Sequence, residues 1–516
     1  SMKKIICTSI KIILSLAFYV RIASSNDAFT SIHDIKQILR KEQVLIEQLD
    51  LSIEQEKARI RKIEQMRDSL KKKVAPITET SIDEYVGNPL NALYTIRRFN
   101  KDWEKVKDEL NNEGFNKVWN DKPELLPTNQ DQKGAIGGIL RLQNFYKITA
   151  HNISKGILLN NDSEKKPEEM DLGLICTIGD ESFKQEDWFL MKEWLDLALE
   201  RIGDSEERDG CKRMWIVDFL SYVEFKLNHF ERALKLNYEL LAKYYPNEKR
   251  ITDNIENMKS LIKDGSNKPL VKPNDNNYKK LCRGENLRNM TQDEELQMVC
   301  WYKNDQPKLR YKPQKVERLW ARPEVLMFRE LLNDEQIGTL INLSLQKLQR
   351  AGLHAETKDQ KQYDDSRTSK HAWLYPKDIP LLKQMERRVQ TMTNLDMRYA
   401  EPLQINNYGI GGHYHVHHDY AKKNIFEFGN RIATLMYYLS DVEAGGGTAF
   451  DLAKTTVFPS KGDAVFWWNL KQNGEGDEET RHAGCPVLMG QKWIANWWIH
   501  EHGQEFGRPC SLDKHL

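Results

Sequence analysis

The chain has 516 residues, too many for a single hydrophobic core, so we expect about three or four domains. Its 77 basic and 76 acidic residues balance, which gives no indication of a nucleic acid or an acidic surface as a partner. With 40% hydrophobic and 30% charged residues, the composition is typical of a globular protein that also contains long charged helices.

The N-terminus has the pattern of a secretory signal. Two lysines precede a short apolar run at residues 12–20, and small residues follow it. The run is too short to span a bilayer permanently, and the alternative is a buried N-terminal helix. We therefore predict a signal peptide over residues 1–25, with Ser1 a cloning remnant ahead of Met2. We expect no stable membrane span in the mature chain, and the endoplasmic reticulum lumen as its location.

Residues 32–74 carry apolar side chains at alternating steps of three and four, which is the heptad spacing of a coiled coil. This pattern predicts self-association through the coiled coil. The alternative is one long helix that packs on its own domain. The following stretch, "NPLNALYTIRRFNKDWEKV", is also helical in pattern, so we predict a helical dimerisation domain over residues 26–133.

Residues 134–263 are predicted to form a tetratricopeptide-like domain. The stretches "EDWFLMKEWLDLALERI" and "WIVDFLSYVEFKLNHFERALKLNYELLAKYYP" have the pattern of paired amphipathic helices that end before a proline. Aromatic residues recur at helical spacing, and flat rings are the surface on which polyproline II segments dock. The alternative is that the rings are ordinary core. The candidate peptide-binding residues are Phe183, Trp188, Phe189, Phe219, Tyr222 and Phe225.

Residues 264–321 begin with the polar stretch "DGSNKPLVKPNDNN" and are interpreted as a linker. Once the signal peptide is removed with its cysteine, an even number of cysteines remains, which suggests disulfides in an oxidising lumen. Proximity in the sequence favours the pairs Cys282–Cys300 and Cys485–Cys510, and leaves the pairing of Cys176 and Cys211 open. Candidate glycosylation sites are the sequons at Asn152, Asn161, Asn289 and Asn342.

From residue 322 onward the periodicity changes to short alternating segments. Examples are "LQINNY", "RIATLMYYL", "DAVFWWNL" and "QKWIANWWIH", and glycine-rich turns separate them. This pattern predicts an antiparallel sandwich or barrel over residues 322–516.

The stretch "NYGIGGHYHVHHDY" concentrates histidines on one of these strands. Residues two apart share a face of a strand, so His417 and Asp419 project together. Two histidines and one carboxylate are the donor set of a mononuclear Fe(II) oxygenase, and His482 in "TRHAGCPV" is the candidate third ligand. The rival pair His415 and His417 would suit zinc or copper better. The sequence suggests no role for His413.

Lys492 lies on a tryptophan-rich strand downstream of His482. The usual co-substrate of such an iron site is 2-oxoglutarate, whose distal carboxylate needs a buried cation. A lysine is costly to bury without an anion, which favours this role; the alternative is that Lys492 reaches solvent. His500 is in register with Lys492 and is a candidate to contact the metal-side carboxylate of the co-substrate.

Taken together, the quoted blocks resemble the alpha subunits of collagen prolyl 4-hydroxylases. The resemblance runs from the coiled-coil region to the C-terminus and is densest after residue 403, in "GNRIATLMYYLSDVEAGGGTAF" and "GEGDEETRHAGCPVLMGQKWIANWWIHEHGQEFGRPC". It implies a multidomain α+β protein. That protein would have a coiled-coil and helical dimerisation region, an all-α tetratricopeptide-like domain and a C-terminal double-stranded β-helix (jelly-roll) catalytic domain.

The resemblance also implies residue roles. His417, Asp419 and His482 would be the iron ligands, and Lys492 and His500 would hold 2-oxoglutarate. It supports the same two cysteine pairs, Cys282–Cys300 and Cys485–Cys510. One departure is that the family lines its peptide groove mainly with tyrosines, where this chain has Phe183, Trp188 and Phe189.

The activity that the resemblance implies is hydroxylation of C4 of proline in X-Pro-Gly repeats of procollagen. The reaction would use Fe(II), O2 and ascorbate and would decarboxylate 2-oxoglutarate to succinate. The implied assembly is an α2β2 tetramer of two alpha chains with two protein disulfide isomerase chains. Alternatives are another secretory 2-oxoglutarate hydroxylase, acting on lysine or on a non-collagen protein, and a non-catalytic collagen-binding assembly subunit.

The stretch "DSRTSKHAWL" precedes the predicted barrel strands and holds two cations. Arg367 and Lys370 are candidates for substrate contacts there. The alternative interpretation is that both residues carry surface charge.

Overall fold

The computed structural model describes residues 32–110, 112–159, 167–266, 268–288, 290–351, 366–423 and 426–511. The predicted signal peptide and the sequons at Asn161 and Asn289 lie outside these residues. The chain divides into two units, Ser1–Pro76 with Asp102–Pro123, and Ile77–Lys101 with Glu124–Leu516. Within the described ranges, no helix combines the length and apolar character that a membrane crossing requires.

Helices make up the first half of the chain and recur between the later strands. In chain order they are α1 (Ile32–Val74), α2 (Ile82–Gly87), α3 (Pro89–Arg98), α4 (Glu104–Leu110), α5 (Glu113–Trp119), α6 (Asn129–Tyr146), α7 (Ala150–Ser154), α8 (Leu172–Lys184), α9 (Trp188–Ile202), α10 (Arg213–Lys226), α11 (Phe230–Lys243), α12 (Lys249–Lys263), α13 (Asn277–Cys282), α14 (Gln292–Leu296), α15 (Pro307–Tyr311), α16 (Asp334–Leu345) and α17 (Pro380–Thr393).

Strands dominate the second half. They are β1 (Glu207–Arg208), β2 (Cys211–Lys212), β3 (Cys300–Lys303), β4 (Gln314–Ala321), β5 (Glu324–Phe328), β6 (Gln349–Arg350), β7 (Ser369–Leu374), β8 (Leu403–Tyr408), β9 (Tyr414–His417), β10 (Arg431–Tyr438), β11 (Ala444–Gly445), β12 (Thr448–Phe450), β13 (Thr455–Val457), β14 (Ala464–Trp468), β15 (His482–Gly484), β16 (Val487–Met489) and β17 (Lys492–His500).

In the first unit, the heptad segment forms the single 43-residue helix α1. Its C-terminal end packs within the unit, where Leu70 is buried and Arg59 donates a hydrogen bond to the carbonyl of Glu109. Towards the N-terminus the predicted seam is open, and Leu39 and Leu49 are 55% and 60% exposed. The interpretation as a helix that packs on its own domain therefore holds for the C-terminal end of α1. The apolar seam towards its N-terminal end is uncovered.

The helical part of the second unit confirms the predicted tetratricopeptide-like pairing. The two aromatic-rich stretches form α9, α10 and α11, and these pack side by side around the fully buried Trp194. Helices α3 and α6 share this core through residues such as Leu93 and Ile139. Asp187 begins α9 as its N-cap, because its side chain accepts a hydrogen bond from the backbone N–H of Leu190.

The C-terminal part is the predicted antiparallel sheet domain. A large sheet has the strand order β3-β4-β5-β14-β10-β17-β8-β7-β6, and a smaller one has the order β13-β12-β15-β9. Side chains alternate along β17, so Trp497 packs with Leu382 of α17 while Ile494 packs with Phe450 of the smaller sheet. Helices therefore cover one face of the large sheet, and the small sheet covers the other.

The segment predicted as a linker takes part in this architecture. Residues 300–303 and 314–321 form β3 and β4 at one edge of the large sheet. Tyr278 of α13 is buried and donates a hydrogen bond to the carbonyl of Gly484 beside β15. Residues 268–276 keep the irregular character that their prolines and asparagines predict.

Both predicted disulfide pairs are wrong. Cys282 bonds to Cys485, 203 residues away, with their Cα atoms 5.4 Å apart in a buried cluster between α13 and β15. Cys300 and Cys510 are free and exposed. Proximity in the sequence misled the pairing because Cys300 lies on the edge strand β3, whereas α13 carries Cys282 onto the small sheet. Cys176 and Cys211, whose pairing the sequence left open, bond to each other.

Two sequons lie within the described residues and differ in setting. Asn342 is exposed on α16, although Ser344 of the same sequon is buried. Asn152 is half-buried in α7, and the hydroxyl of Ser154 donates to the carbonyl of His151 and accepts from Arg201. Asn342 is thus the more accessible of the two candidate sites.

Candidate active site

The candidate site lies between the two sheets, and the period of the strands decides which side chains face it. On β8 and β17 the apolar residues Ile405 and Ala495 face the helices. Tyr408 and Lys492 lie three positions from Ile405 and Ala495 and are register partners, so both point to the opposite face, towards the small sheet and the site. Thr434 on β10 lies on the same side, since the residues at either side of it pack against the helices.

His417 and His482 come from neighbouring strands of the small sheet. They are register partners in the antiparallel pair β9–β15, and their ring centroids are 4.4 Å apart. The Nε2 atoms of His417 and His482 lie 3.5 Å and 3.7 Å from the same oxygen, Oδ1 of Asp419. One ligand atom from each of these three residues lies within 4.8 Å of the other two.

Hydrogen bonds orient all three side chains of this group. Nδ1 of His417 lies 2.7 Å from the carbonyl of His415, and Nδ1 of His482 lies 3.0 Å from that of Thr480. A carbonyl only accepts, so each Nδ1 carries the proton and each Nε2 keeps a free lone pair that faces the group. Oδ2 of Asp419 accepts from the Thr434 hydroxyl at 2.7 Å, which leaves Oδ1 for a cation.

The electrostatics keep this group in its ligating form. Burial raises the pKa of the Asp419 carboxyl, but the neighbouring His482 and His417 lower it more, so that it lies well below its usual range. Burial lowers the pKa of His482 to about 4, against the opposing effect of Asp419. At neutral pH the group therefore offers an ionised carboxylate and a neutral imidazole, the forms that bind a metal. Two nitrogens and one carboxylate oxygen fit the facial triad of a non-haem Fe(II) oxygenase.

Lys492 is buried at the start of β17, with 1% of its surface exposed. It forms no hydrogen bond or ion pair with any described residue, and its Nζ lies 5.1 Å from the centroid of the Tyr408 ring. Burial lowers the pKa of Lys492 to about 7. An ammonium group buried without a carboxylate is a site for an anionic ligand, and the snorkelling alternative is excluded by its burial.

His500 ends the same strand and belongs to a different network. Its Nδ1 lies 2.7 Å from the carbonyl of Gly429, and its Nε2 lies 3.2 Å from Oε1 of Glu401. Glu401 also accepts from Arg431, whose Nη1 donates to the carbonyl of Asp419 at 3.3 Å. Burial raises the pKa of Glu401, but the hydrogen bond from His500 and the charge of Arg431 outweigh it and lower this pKa.

Arg367 is buried beside the group, so its interpretation as surface charge is wrong. It donates to the side-chain oxygens of Gln404 at 3.0 Å and Asn406 at 2.5 Å, and its guanidinium lies 4.6 Å from the centroid of the Tyr414 ring. Lys370, by contrast, is exposed on β7. The alternation of β7 could have told the two residues apart. Arg367 and Lys370 are three positions apart, so their side chains point to opposite faces, and that of Arg367 points inward.

The other histidines of the cluster lie outside the group. His415 is exposed and its ring packs edge-on to Tyr278, which removes it as a partner of His417 on a zinc or copper ion. His418 contacts the carbonyl of Glu478. His413 is buried with Nδ1 unpaired among the described residues, and burial together with the charge of Arg141 lowers its pKa to about 3.

A second candidate surface lies on the tetratricopeptide-like domain. Phe183 contacts Trp188, Phe219 and Tyr222 with ring centroids 5.9, 5.3 and 5.9 Å away, and Trp215 packs on Phe219 at 4.7 Å. These five residues form what we call the aromatic patch; Tyr222 is 41% exposed, and the other rings are half-buried.

The aromatic patch contains four of the six predicted residues. Phe225 packs instead on Phe230, with ring centroids 5.6 Å apart, and Phe189 packs against the helical core. Trp215 was missed, although its spacing of four from Phe219 on α10 is the signal that could have found it.

Three family profiles match separate parts of the chain. "Prolyl 4-Hydroxylase alpha-subunit, N-terminal region" matches residues 31–160. "Prolyl 4-hydroxylase peptide-substrate-binding domain" matches residues 175–264, which include the aromatic patch. "2OG-Fe(II) oxygenase superfamily" matches residues 403–500, which include the His417, Asp419 and His482 group. The last family implies Fe(II) and 2-oxoglutarate.

Relatives match over nearly the whole chain. "Prolyl 4-hydroxylase subunit alpha-2" of Caenorhabditis elegans is 34% identical over 95% of this chain and 94% of its own length. "Prolyl 4-hydroxylase subunit alpha-1" of Homo sapiens is 32% identical over 94% of this chain and 96% of its own. Among solved structures, the 2OG complex of the viral collagen prolyl hydroxylase from Paramecium Bursaria Chlorella virus-1 is 29% identical. It covers 34% of this chain and 94% of that chain with a TM-score of 0.28, too low to add to the assignment. The chain belongs to the family of prolyl 4-hydroxylase alpha subunits and is a 2-oxoglutarate- and Fe(II)-dependent dioxygenase.

Proposed function

We propose that this chain hydroxylates C4 of proline in X-Pro-Gly repeats of procollagen-like chains. The observation that carries the proposal is the convergence of His417, Asp419 and His482 with the unpaired Lys492 in one sheet domain. When bound there, iron(II) with O2 and 2-oxoglutarate supplies the hydroxylating chemistry, and the co-substrate leaves as succinate and carbon dioxide. Ascorbate is the reductant that we expect to maintain the metal between turnovers.

The protein's own contribution at the metal is orientation. Nε2 of His417, Nε2 of His482 and Oδ1 of Asp419 would hold the ion. The carbonyls of His415 and Thr480 fix the two rings, so little rearrangement is needed when the ion binds.

Lys492 would bind the distal carboxylate of 2-oxoglutarate. Burial makes this charge pair strong, and the Tyr408 ring beside Nζ restricts where the ammonium group lies.

We assign His500 to the peptide side of the site. Lys492 and His500 are the first and last residues of β17, and a strand of that length separates them by roughly 26 Å. This distance joins Cα atoms and separates His500 from the distal carboxylate that Lys492 would bind; a contact of His500 with the metal-side carboxylate stays a prediction. The contact of His500 with Glu401 stabilises Arg431 next to the Asp419 backbone, where a positive charge would orient carbonyl groups of a peptide substrate.

Proline-rich substrate chains would bind to the aromatic patch. Polyproline II segments have no internal hydrogen bonds and dock on flat rings, and the partly exposed Trp188 and Tyr222 offer such faces. The match of this region to a peptide-substrate-binding domain supports the proposal.

We infer the assembly and location from the same chain. The exposed apolar seam of α1, including Leu39 and Leu49, supports a coiled coil with a second copy, because such a seam is stable only when covered. The signal pattern at residues 1–25 and the disulfides support the endoplasmic reticulum lumen, where protein disulfide isomerase would complete an α2β2 tetramer. Asn342 is the glycosylation candidate that its exposure favours.

For the catalytic part, we propose that the two facing sheets form a double-stranded β-helix.

The test uses the full chain co-expressed with a protein disulfide isomerase and supplied with iron(II), 2-oxoglutarate and ascorbate. A (Pro-Pro-Gly) repeat peptide should gain the mass of single oxygen atoms on the proline before glycine, with one succinate formed per addition. Succinate formed only with a lysine-containing or non-collagen acceptor would support the iron chemistry and contradict the proposed substrate. If a correctly assembled chain forms neither product, the result would favour the alternative that the chain is a non-catalytic assembly subunit.

A further inference from the structure

Helix α6 (Asn129–Tyr146) lies directly against the turn formed by residues 409–412, which we call the active-site turn. A Cβ atom at Gly138 would lie 2.4 Å from the carbonyl oxygen of Ile410, and one at Gly411 would lie 2.5 Å from the carbonyl oxygen of Gly138. Gly411 also has a φ of 56°, in the left-handed region that favours glycine. The two backbones therefore touch at a position that admits no side chain on either of them.

Hydrogen bonds fix the same contact. Nη1 of Arg141 donates to the carbonyl of Gly411 at 2.9 Å, and the hydroxyl of Tyr146 donates to the carbonyl of Pro486 at 2.5 Å. The active-site turn leads into β9, which ends at His417, and Pro486 follows β15, which begins at His482. Tyr414 begins β9 and Gly484 ends β15, and the two are register partners. The start of β9 and the end of β15 therefore lie side by side, and α6 contacts the chain next to both.

The other side of α6 holds the start of α9, which carries the aromatic patch residue Trp188. Nδ2 of Asn144 donates to Oδ2 of Asp187, the N-cap of α9, at 3.4 Å. The amide of Gln143 donates to Glu193 at 2.9 Å and accepts from Trp194 Nε1 at 2.8 Å. One helix thus contacts the helix that carries Trp188 of the aromatic patch and the ends of the two strands that carry the candidate metal ligands.

We propose that α6 sets the spacing between the aromatic patch and the metal centre, and that Gly138 is a positioning residue for the reaction. A proline-rich chain anchored on the patch then presents a proline to the metal at a set number of residues from its anchor. A rigid span between two sites makes turnover depend on the length of chain that connects them. This inference rests on the proposed function and adds to it a rule for which proline is hydroxylated first.

The test uses peptides with an oligoproline anchor, a Gly/Ser spacer of stepwise length and a single Pro-Gly target. For the full assembled protein, kcat/KM should pass through a maximum at one spacer length. Gly138→Ala should lower kcat/KM at that length by about tenfold and flatten the maximum, since the effective concentration of the target falls when the span is no longer set. Turnover of a target peptide without anchor should stay within about threefold of the unsubstituted protein.

Gly137→Ala is the matched control on the same helix. A Cβ atom there meets Gln185 Nε2 at 3.5 Å, an ordinary contact, so the maximum should keep its position and height. Metal titration and thermal unfolding of both variants show whether the site and fold persist. If Gly138→Ala does not fold, Arg141→Met, which removes the hydrogen bond to the Gly411 carbonyl without adding a side chain at the backbone contact, should broaden the maximum.

Three results would overturn the inference. These are a spacer profile without a maximum in the unsubstituted protein, an unchanged maximum in a folded Gly138→Ala variant, and an equal loss of anchored and anchor-free turnover. Failure of the proposed function looks different, because the unsubstituted protein would then hydroxylate none of the peptides.

Discussion

Tyr414 stacks on the candidate metal ligand His417, with ring centroids 3.7 Å apart and planes inclined by 26°. The guanidinium of Arg367 lies over the same tyrosine, so a buried cation, an aromatic ring and an imidazole form a continuous stack. The orientation of His417 is thereby coupled to Arg367, which itself is held by Gln404 and Asn406.

Arg367→Met should therefore destabilise the fold and weaken metal binding together. The substitution removes the Arg367 donor from the buried Asn406 Oδ1 and one of the two donors to Gln404 Oε1, which costs about 1–3 kcal/mol in the free energy of unfolding. Urea unfolding and metal titration measure the two effects. Lys370→Met is the control, because that side chain is exposed on β7, three residues after Arg367, and should change neither quantity. Equal effects of the two substitutions would contradict the stacking argument.

His482→Ala should reduce metal affinity by about 100-fold or more, since one of three protein ligands is lost. The comparison is His418→Ala, because His418 lies between His417 and Asp419 in the sequence while its ring contacts the Glu478 carbonyl outside the group. Metal titration with circular dichroism separates ligand loss from unfolding. Retained metal affinity in a folded His482→Ala variant would remove His482 from the ligand set.

Binding of 2-oxoglutarate should take up a proton at Lys492. Burial lowers the pKa of Lys492 to about 7, so at pH 8 the free lysine is mostly neutral, whereas a bound carboxylate favours the charged form. Affinity should therefore fall roughly tenfold per pH unit above about pH 7 and level off below it.

Calorimetry in two buffers of different ionisation enthalpy measures this proton uptake. Lys492→Met should abolish both the uptake and tight binding. Lys461→Met should leave both unchanged, because Lys461 is a partly exposed lysine paired with Asp334. A pH-independent affinity would show that another cation holds the co-substrate.

Trp188→Leu should weaken binding of a long (Pro-Pro-Gly) peptide by about 1–2 kcal/mol, because a flat ring in contact with proline is replaced by a smaller side chain. Phe225→Leu is the matched control, since Phe225 packs on Phe230 outside the aromatic patch. Fluorescence titration of the assembled protein gives both affinities. A larger loss from Phe225→Leu would place the peptide elsewhere on the domain.

Removing the disulfide Cys282–Cys485 by a double serine substitution should cost about 2–5 kcal/mol, because it closes a loop of 203 residues. The same change at Cys300 and Cys510 should leave stability within about 0.5 kcal/mol, as both are exposed and free. Peptide mapping without reduction checks the pairing directly. A recovered Cys282–Cys300 or Cys485–Cys510 peptide would contradict it.

Local patterns predicted the helices and most strands well. The step of three and four predicted α1, and the alternation of the last segment predicted β17 with Lys492 and His500 on one face. The same alternation placed His417 with Asp419. These features depend on neighbours within a few residues, so the period of the backbone is enough to find them.

The aromatic patch shows where local patterns stop being sufficient. Helical spacing selected six rings, but only contacts between α8, α9 and α10 decide that Phe183 joins Trp188 and Tyr222 while Phe225 turns to Phe230. Arg367 shows the same limit, because its burial depends on Gln404 and Asn406 of another strand.

The sequence by itself determined most of the elements, the candidate ligands and the family, since spacing and motif blocks are properties of short stretches. Only the tertiary structure decided that Cys282 meets Cys485, that His500 contacts Glu401, and that Gly138 touches the active-site turn. The physical reason is that each of these contacts joins residues far apart along the chain. Their approach is set by how whole helices and sheets pack, and no local period encodes that packing.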